Sequence, residues 1–322
     1  MAYKILCIDG GGIRGVIPAR ILMEIEKRTG KPLAETFDLI AGTSTGGLLT
    51  LALTLARRDG KPRYSAADLL DFYFENGERI FSASVGYKLY SISGLLHEKY
   101  PVEGLEAVLY EAMGNARLKD ALTEVIVTSY DIENRMAWFF RSWRARNDPN
   151  YDFPVVQVAR ATSAAPTYFQ PIQIETDEGT EHYALVDGGV FANNPSMCAY
   201  TEALTHGVAP KDIMMVSVGT GTVGQIPGHG ISFEKAADWG VLGWGVPIFK
   251  VVFQSLGDTV EYQLKGLLPK ERYFRLQPIL YYAEEAMDKV DLVNMHHLEK
   301  DAEAFIELNA GMLDQIAEAL TG

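Results

Sequence analysis

Along its first two thirds the chain alternates short apolar runs with segments of helical spacing. Tyr3-Lys4-Ile5-Leu6-Cys7-Ile8 and Phe37-Asp38-Leu39-Ile40-Ala41 read as buried strands. Between them, Ile17, Ile21, Leu22 and Ile25 recur at helical spacing within Gly15 to Thr29, and after the second, Gly47 to Leu53 is mostly apolar, as in a buried helix. Ser65 is placed to cap an amphipathic helix from Ala66 to Phe81. Ser82 to Tyr100 reads as irregular and Pro101 to Met113 as helical. Glu124 to Tyr130 and Ala137 to Arg141 follow as strands, and Pro154 to Ala165 as a helix. Tyr168 to Ile174 and His182 to Val186 pair around the polar turn Thr176-Asp177-Glu178-Gly179. Asn194 reads as the cap of a further helix with Pro195 at its first position, and Asp212 to Val218 as a late core strand. After Gly221 the pattern is helical and less regular. Strands alternating with helices imply an α/β fold whose parallel sheet is covered on both faces.

With 322 residues, 48% hydrophobic, and no linker or repeat to divide it, the chain reads as one domain. A formal net charge of -13 leaves no basic stripe to match nucleic acid and disfavours simple adhesion to anionic lipid. Two cysteines, Cys7 and Cys198, give no disulfide framework and point to a reducing compartment or to indifference to redox, each as a small buried apolar residue. No secretory signal precedes the first strand, so a soluble, cytoplasmic protein is expected. The uncharged run Leu39 to Ala56 is long enough to span a membrane, but a buried strand followed by a core helix accounts for it better. The histidines lack metal-ligand spacing and no calcium loop is present, so neither metal nor cofactor is expected.

Gly42-Thr43-Ser44-Thr45-Gly46 joins the second strand to the apolar helix, which is the context of a nucleophile elbow. Gly42 and Gly46 allow a turn too tight for side chains, and the helix N-terminus favours negative charge near Ser44. Asp9-Gly10-Gly11-Gly12-Ile13-Arg14-Gly15 follows the first strand, and its bare amides form an anion-binding nest. A dinucleotide site would need an acid at the end of the second strand, where the serine stands instead. An oxyanion hole beside the elbow fits better. A serine still needs a base. Of His97, His182, His206, His229, His296 and His297, none sits in a glycine-flanked loop at a strand end. Asp187-Gly188-Gly189 does follow a strand, but spacing alone does not separate a catalytic acid from an Asp-Gly turn. Arg14 fits a lipid-phosphate contact, a brace for the glycine loop, or an arginine paired with a carboxylate. Trp239, Trp244, Phe249, Val251, Val252 and Phe253 lie in a glycine-broken apolar stretch. Core packing or a subunit contact is preferred there over a lid or interfacial surface.

Three blocks, Asp9 to Gly15, Gly42 to Gly46 and Asp187 to Gly189, together resemble the patatin-like phospholipases of bacterial type. Ala161-Thr162-Ser163-Ala164-Ala165-Pro166 and Asn193-Asn194-Pro195 add to the likeness, which spans roughly residues 4 to 220. The resemblance implies a three-layer α/β/α sandwich, with residues 221 to 322 as a C-terminal helical extension packed on that core. It implies a Ser-Asp dyad without histidine, Ser44 as nucleophile and Asp187 as base, with an oxyanion hole from the backbone of Gly10, Gly11 and Gly12. The expected activity is hydrolysis of phospholipid or lysophospholipid through an acyl-serine, Asp187 being helped by a pKa raised through burial. Transient membrane-surface contact and a homo-oligomer are compatible with this reading. A catalytically silent lipid-binding module, an acyltransferase and a dinucleotide-binding enzyme are the alternatives.

Overall fold

β1 (Tyr3–Ile8) is covered on both faces, which is why its sequence runs apolar without alternation. Leu6 and Ile8 face one core, shared with the helices Val16–Thr29, Ala66–Ile80 and Leu292–Leu308. Ile5 and Cys7 face another, shared with the helix Ser196–Thr205. The computed structural model describes residues 2–83, 87, 97–179, 181–224 and 230–322. Most of the expected irregular stretch 82–100, His229 and the side chain of Phe249 lie outside the described residues.

β1 is joined in one eight-stranded sheet by β2 (Leu39–Gly42), β3 (Glu124–Asp131), β4 (Met136–Arg141), β5 (Ile172–Glu175), β6 (His182–Asp187), β7 (Ile213–Val218) and β8 (Tyr273–Leu276). The order is β5-β6-β3-β2-β1-β7-β8, with β4 also on β3. β3, β2, β1, β7 and β8 are mutually parallel; β4 and β6 pair antiparallel with β3, and β5 pairs antiparallel with β6. Helices on both faces complete the expected α/β/α layering. A third apolar cluster packs Leu105, Val108, Val158 and Ala161 beneath β3 and β4.

Local signals placed most elements. Ser65 caps Ala66–Ile80 in a closed capping box with Asp68. Three boundaries differ from expectation. The helix after Pro154 stops at Thr162 rather than Ala165, and β5 begins only at Ile172. Pro195, not Asn194, is the cap residue of Ser196–Thr205, although the Asn194 side chain still accepts from the Ser196 N–H at 3.0 Å. The larger difference is β8, a strand within the region expected to be helical. Its four residues carry too little pattern to outweigh the long helices on either side, Val241–Leu267 and Leu292–Leu308.

Among the described side chains of the Trp239–Leu256 stretch none is buried: Trp239, Trp244, Val252 and Phe253 are half-buried and Val251 is 41% exposed, while Leu264, further along the same helix, is fully buried. Among the described residues no helix is long and apolar enough to cross a membrane. The run Leu39 to Ala56 is indeed β2 followed by the core helix Thr45–Leu53.

Candidate active site

Two strands run toward each other along one edge of β3. The other edge is filled by β4, which sets Phe140 opposite Val127 and Trp138 opposite Ser129. On the remaining edge, Gly42 at the end of β2 sits opposite Val127, and Asp187 at the end of β6 opposite Ser129. Because β2 is parallel to β3 and β6 antiparallel, their C-terminal ends converge across Thr128. Thr128 links them: its hydroxyl bonds that of Thr43 at 2.7 Å, and Thr43 in turn donates to the Ala192 carbonyl at 2.7 Å. A Cβ at Gly188 would stand 2.1 Å from the Thr128 hydroxyl oxygen, so the residue after Asp187 must be glycine for the ends to close.

Ser44 caps the helix Thr45–Leu53 at φ 54, ψ -125, a left-handed conformation that costs a serine on the order of 1–3 kcal/mol. The surroundings enforce it. Its N–H donates to the Thr162 hydroxyl at 2.8 Å, and the Gly46 N–H donates to the Thr43 carbonyl at 2.8 Å. At Gly46 a Cβ would lie 2.1 Å from the Ile8 carbonyl oxygen, and at Gly42 2.2 Å from that of Gly46. The two glycines thus let the elbow lie directly against β1.

Asp187 is 4% exposed, its carboxylate accepts the Gly189 N–H at 2.7 Å, and it lines the same cavity as Ser44. Burial raises its pKa from 3.8 to about 7, against the opposing pull of the nearby Ser44 hydroxyl and the Gly189 N–H. A carboxylate tuned there is half-ionised near neutral pH, where a general base works best. Ser44 and Asp187 share a cavity of about 60 Å3 with Gly11, Gly12 and an apolar lining that includes Leu48, Phe81, Leu105 and Phe169. It adjoins a more polar cavity of about 410 Å3.

The glycine loop departs from expectation at one position. The Gly10 N–H donates to the Asn193 carbonyl at 3.0 Å, so it is spent on structure and is not an oxyanion donor. The Gly11 and Gly12 N–H groups make no hydrogen bond among the described residues, and the loop continues through Ile13 N–H to the Met287 carbonyl at 2.8 Å. Arg14 braces this loop, donating over long distances to the carbonyls of Gly11 (3.5 Å) and Gly221 (3.4 Å). Asp9 forms a two-pronged ion pair with Arg275 of β8, at 3.0 and 2.5 Å. Arg275 also donates to Ser217 at 2.9 Å, so β8 locks the start of the loop.

No histidine lines the shared cavity among the described residues. His182 pairs with Glu133 at 3.1 Å on the exposed end of β6, and His206 lies 3.3 Å from Glu124. His296 lies 3.6 Å from Glu299. Cys7 is buried and Cys198 partly so, both as free thiols. Among the described residues no group of three acids, histidines or cysteines could hold a metal. Sequence reasoning missed Thr162, the Asn193 carbonyl and Arg275 as supports of the site. The first two stand in stretches that the resemblance had marked, whereas Arg275 is a lone cation in a short apolar run and carries no signal.

Against known proteins, the family profile described as Patatin-like phospholipase matches residues 6–200. Patatin-like protein 4 of Arabidopsis thaliana is 31% identical, covering 95% of this chain and 83% of its own length. Patatin-17 of Solanum cardiophyllum is 32% identical, covering 91% and 81%. A relative from Solanum tuberosum described as Probable inactive patatin-3-Kuras 1 is 33% identical, covering 85% and 78%. These three are plant proteins rather than bacterial ones. Among solved structures, human GIVD cytosolic phospholipase A2 shares the fold with a TM-score of 0.51 at 10% identity, covering 99% of this chain and 60% of that one.

Proposed function

The chain belongs to the patatin-like phospholipase family, and on that footing we propose that it hydrolyses fatty-acyl esters of phospholipids or lysophospholipids through an acyl-Ser44 intermediate. What supports the reading most is that Ser44 and a buried carboxylate, Asp187, line one cavity that has no histidine among the described residues. Asp187 takes the Ser44 proton as the hydroxyl oxygen attacks the ester carbon. The N–H groups of Gly11 and Gly12 receive the oxyanion, aided by the N-terminal end of the helix Thr45–Leu53. The proton passes to the departing alcohol, and the apolar lining holds the acyl chain. Water then repeats the cycle, giving its proton to Asp187 and releasing the fatty acid.

The test is labelling with a fluorophosphonate alongside release of fatty acid from dispersed phosphatidylcholine. The wild type should label and hydrolyse, with an acidic limb near pH 7 set by Asp187, and Ser44→Ala should do neither. A wild type that does not label overturns the proposal and favours a silent member of the family, as one relative's description allows.

A further inference from the structure

The helix Val241–Leu267 is anchored at one end and uncovered at the other. In its second half Leu264 is fully buried in one core cluster with Ile5 and Met215, and Val260 packs against that cluster. The first half, Val241 to Phe253, consists of apolar residues, glycines and one proline, with Lys250 as its one charge. A helix that is apolar all round is ordinarily buried, in protein or in lipid. Yet none of the described side chains between Val241 and Phe253 is buried by protein.

Trp244, Ile248 and Val251 follow one another at i, i+4 and i+7 and so share one stripe of that half. Ile248 is 40% exposed and Val251 41%. Trp239 stands edge-on to Trp244 with the ring centroids 5.3 Å apart, and both are half-buried. Tryptophan favours the boundary between water and hydrocarbon. From Trp239 to Gly257 the only charged residue is Lys250, although 22% of the whole chain is charged. A net charge of -13 works against adhesion to anionic lipid, so a stripe without charge matches a zwitterionic surface.

The helix also reaches the proposed reacting groups. Phe253, two residues past Val251 and thus near the opposite side of the helix, lines both the cavity of Ser44 and Asp187 and the more polar cavity beside it. A Cβ at Gly189, two residues after Asp187, would meet the Phe253 ring at 3.7 Å. One short helical segment therefore turns an uncovered apolar stripe outward and a cavity wall inward. A second copy of the chain seated on the stripe would bring no substrate toward that wall, whereas a lipid surface there would.

We infer that the first half of this helix docks the protein on a zwitterionic phospholipid surface, with Trp244, Ile248 and Val251 entering the boundary between head groups and acyl chains. This rests on the lipid-hydrolase reading above and deepens it: the helix lies in the plane of the surface, and substrate enters the cavity past Phe253.

Binding is measured by flotation with phosphatidylcholine vesicles, using Ser44→Ala so that the lipid stays intact. The protein should float with the vesicles, and brominated acyl chains should quench its tryptophan emission, an effect lost when Trp239→Phe and Trp244→Phe are combined. Adding phosphatidylglycerol should not strengthen binding at low salt. Ile248→Asp with Val251→Asp should weaken partitioning by about 100-fold, about tenfold for each side chain that no longer leaves water. Leu308→Asp, an equally plain change at a residue 82% exposed, should leave it unaltered; its helix Leu292–Leu308 belongs to the other core cluster. With Ser44 intact, the double aspartate variant should lose hydrolysis of vesicle phosphatidylcholine, while hydrolysis of soluble p-nitrophenyl butyrate and the melting temperature stay at wild-type values. Absence of flotation or of quenching in Ser44→Ala overturns the inference, and neither measurement depends on a stripe variant folding. So does loss of both activities with a lower melting temperature, which marks a merely structural helix. A dimer that the two aspartates dissociate, without vesicle binding, makes the stripe a subunit contact and overturns it too. A wild type that floats but fails to label with fluorophosphonate sinks the acyl-Ser44 reading instead and leaves the docking surface standing.

Discussion

Replacing Asp187 by Asn should end hydrolysis and yet make the protein more stable above neutral pH. In the unfolded chain an aspartate titrates near its ordinary 3.8, whereas burial in the folded protein raises Asp187 to about 7. The folded state thus holds a proton that the unfolded state has already released across that window. Stability is fully present below about pH 4 and declines as pH rises, by about 1.4 kcal/mol for each pH unit, until the folded group also ionises near pH 7. The accumulated cost is about 4 kcal/mol, a large part of the stability of an ordinary domain. Asn carries no charge to desolvate, and its side-chain oxygen can still accept from the Gly189 N–H. Denaturant unfolding of the wild type and Asp187→Asn from pH 4 to 8 would measure it. The difference between the two should widen through the window and flatten above pH 7. All other titrating groups cancel in that difference, so a gap that stays constant with pH would refute the reasoning, and with it the claim that the carboxylate is tuned by burial.

Two further outcomes follow from the loop between β1 and the first long helix. Gly12→Ala places a Cβ 2.3 Å from the Met287 carbonyl oxygen at φ +59, so the loop must move and lose its bond to Ile13. Hydrolysis should fall by about 100-fold or more with the melting temperature lowered, as expected when an oxyanion donor is displaced, and steady-state kinetics would show it. Arg275→Met leaves the Asp9 carboxylate buried without its partner and should cost about 3–5 kcal/mol in denaturant unfolding. Adding Asp9→Asn to that variant should restore most of the loss, and failure to do so would mean that the pair is not what holds the loop.

The convergence of Ser44 and Asp187 is a property of strand order, and no local pattern contains it. Each residue was visible as a glycine-flanked group at a strand end, because tight turns demand glycine wherever they occur. That β2 and β6 would approach head to head on the same edge of β3 depends on β4 taking the other edge, which long-range pairing alone settles. For the same reason the Asp187 turn stayed ambiguous on spacing, and only the resemblance to a family resolved it. The Gly10 amide illustrates the opposite failure: its motif marks it as a donor to ligand, but the Asn193 carbonyl, brought in from the far side of the chain, occupies it.

What the order of residues determined by itself was periodicity and punctuation. Apolar runs, helical spacing, the Ser65 cap and the glycines around Ser44 act over a few residues, and local sterics and hydrogen bonding decide them in any context. What folding decided was electrostatic and non-local. The raised pKa of Asp187, the engagement of Gly10 and the Asp9–Arg275 pair through β8 each depend on which distant groups exclude water from the site. Desolvation is set by everything that surrounds a group, so it exists only once the chain has closed around it.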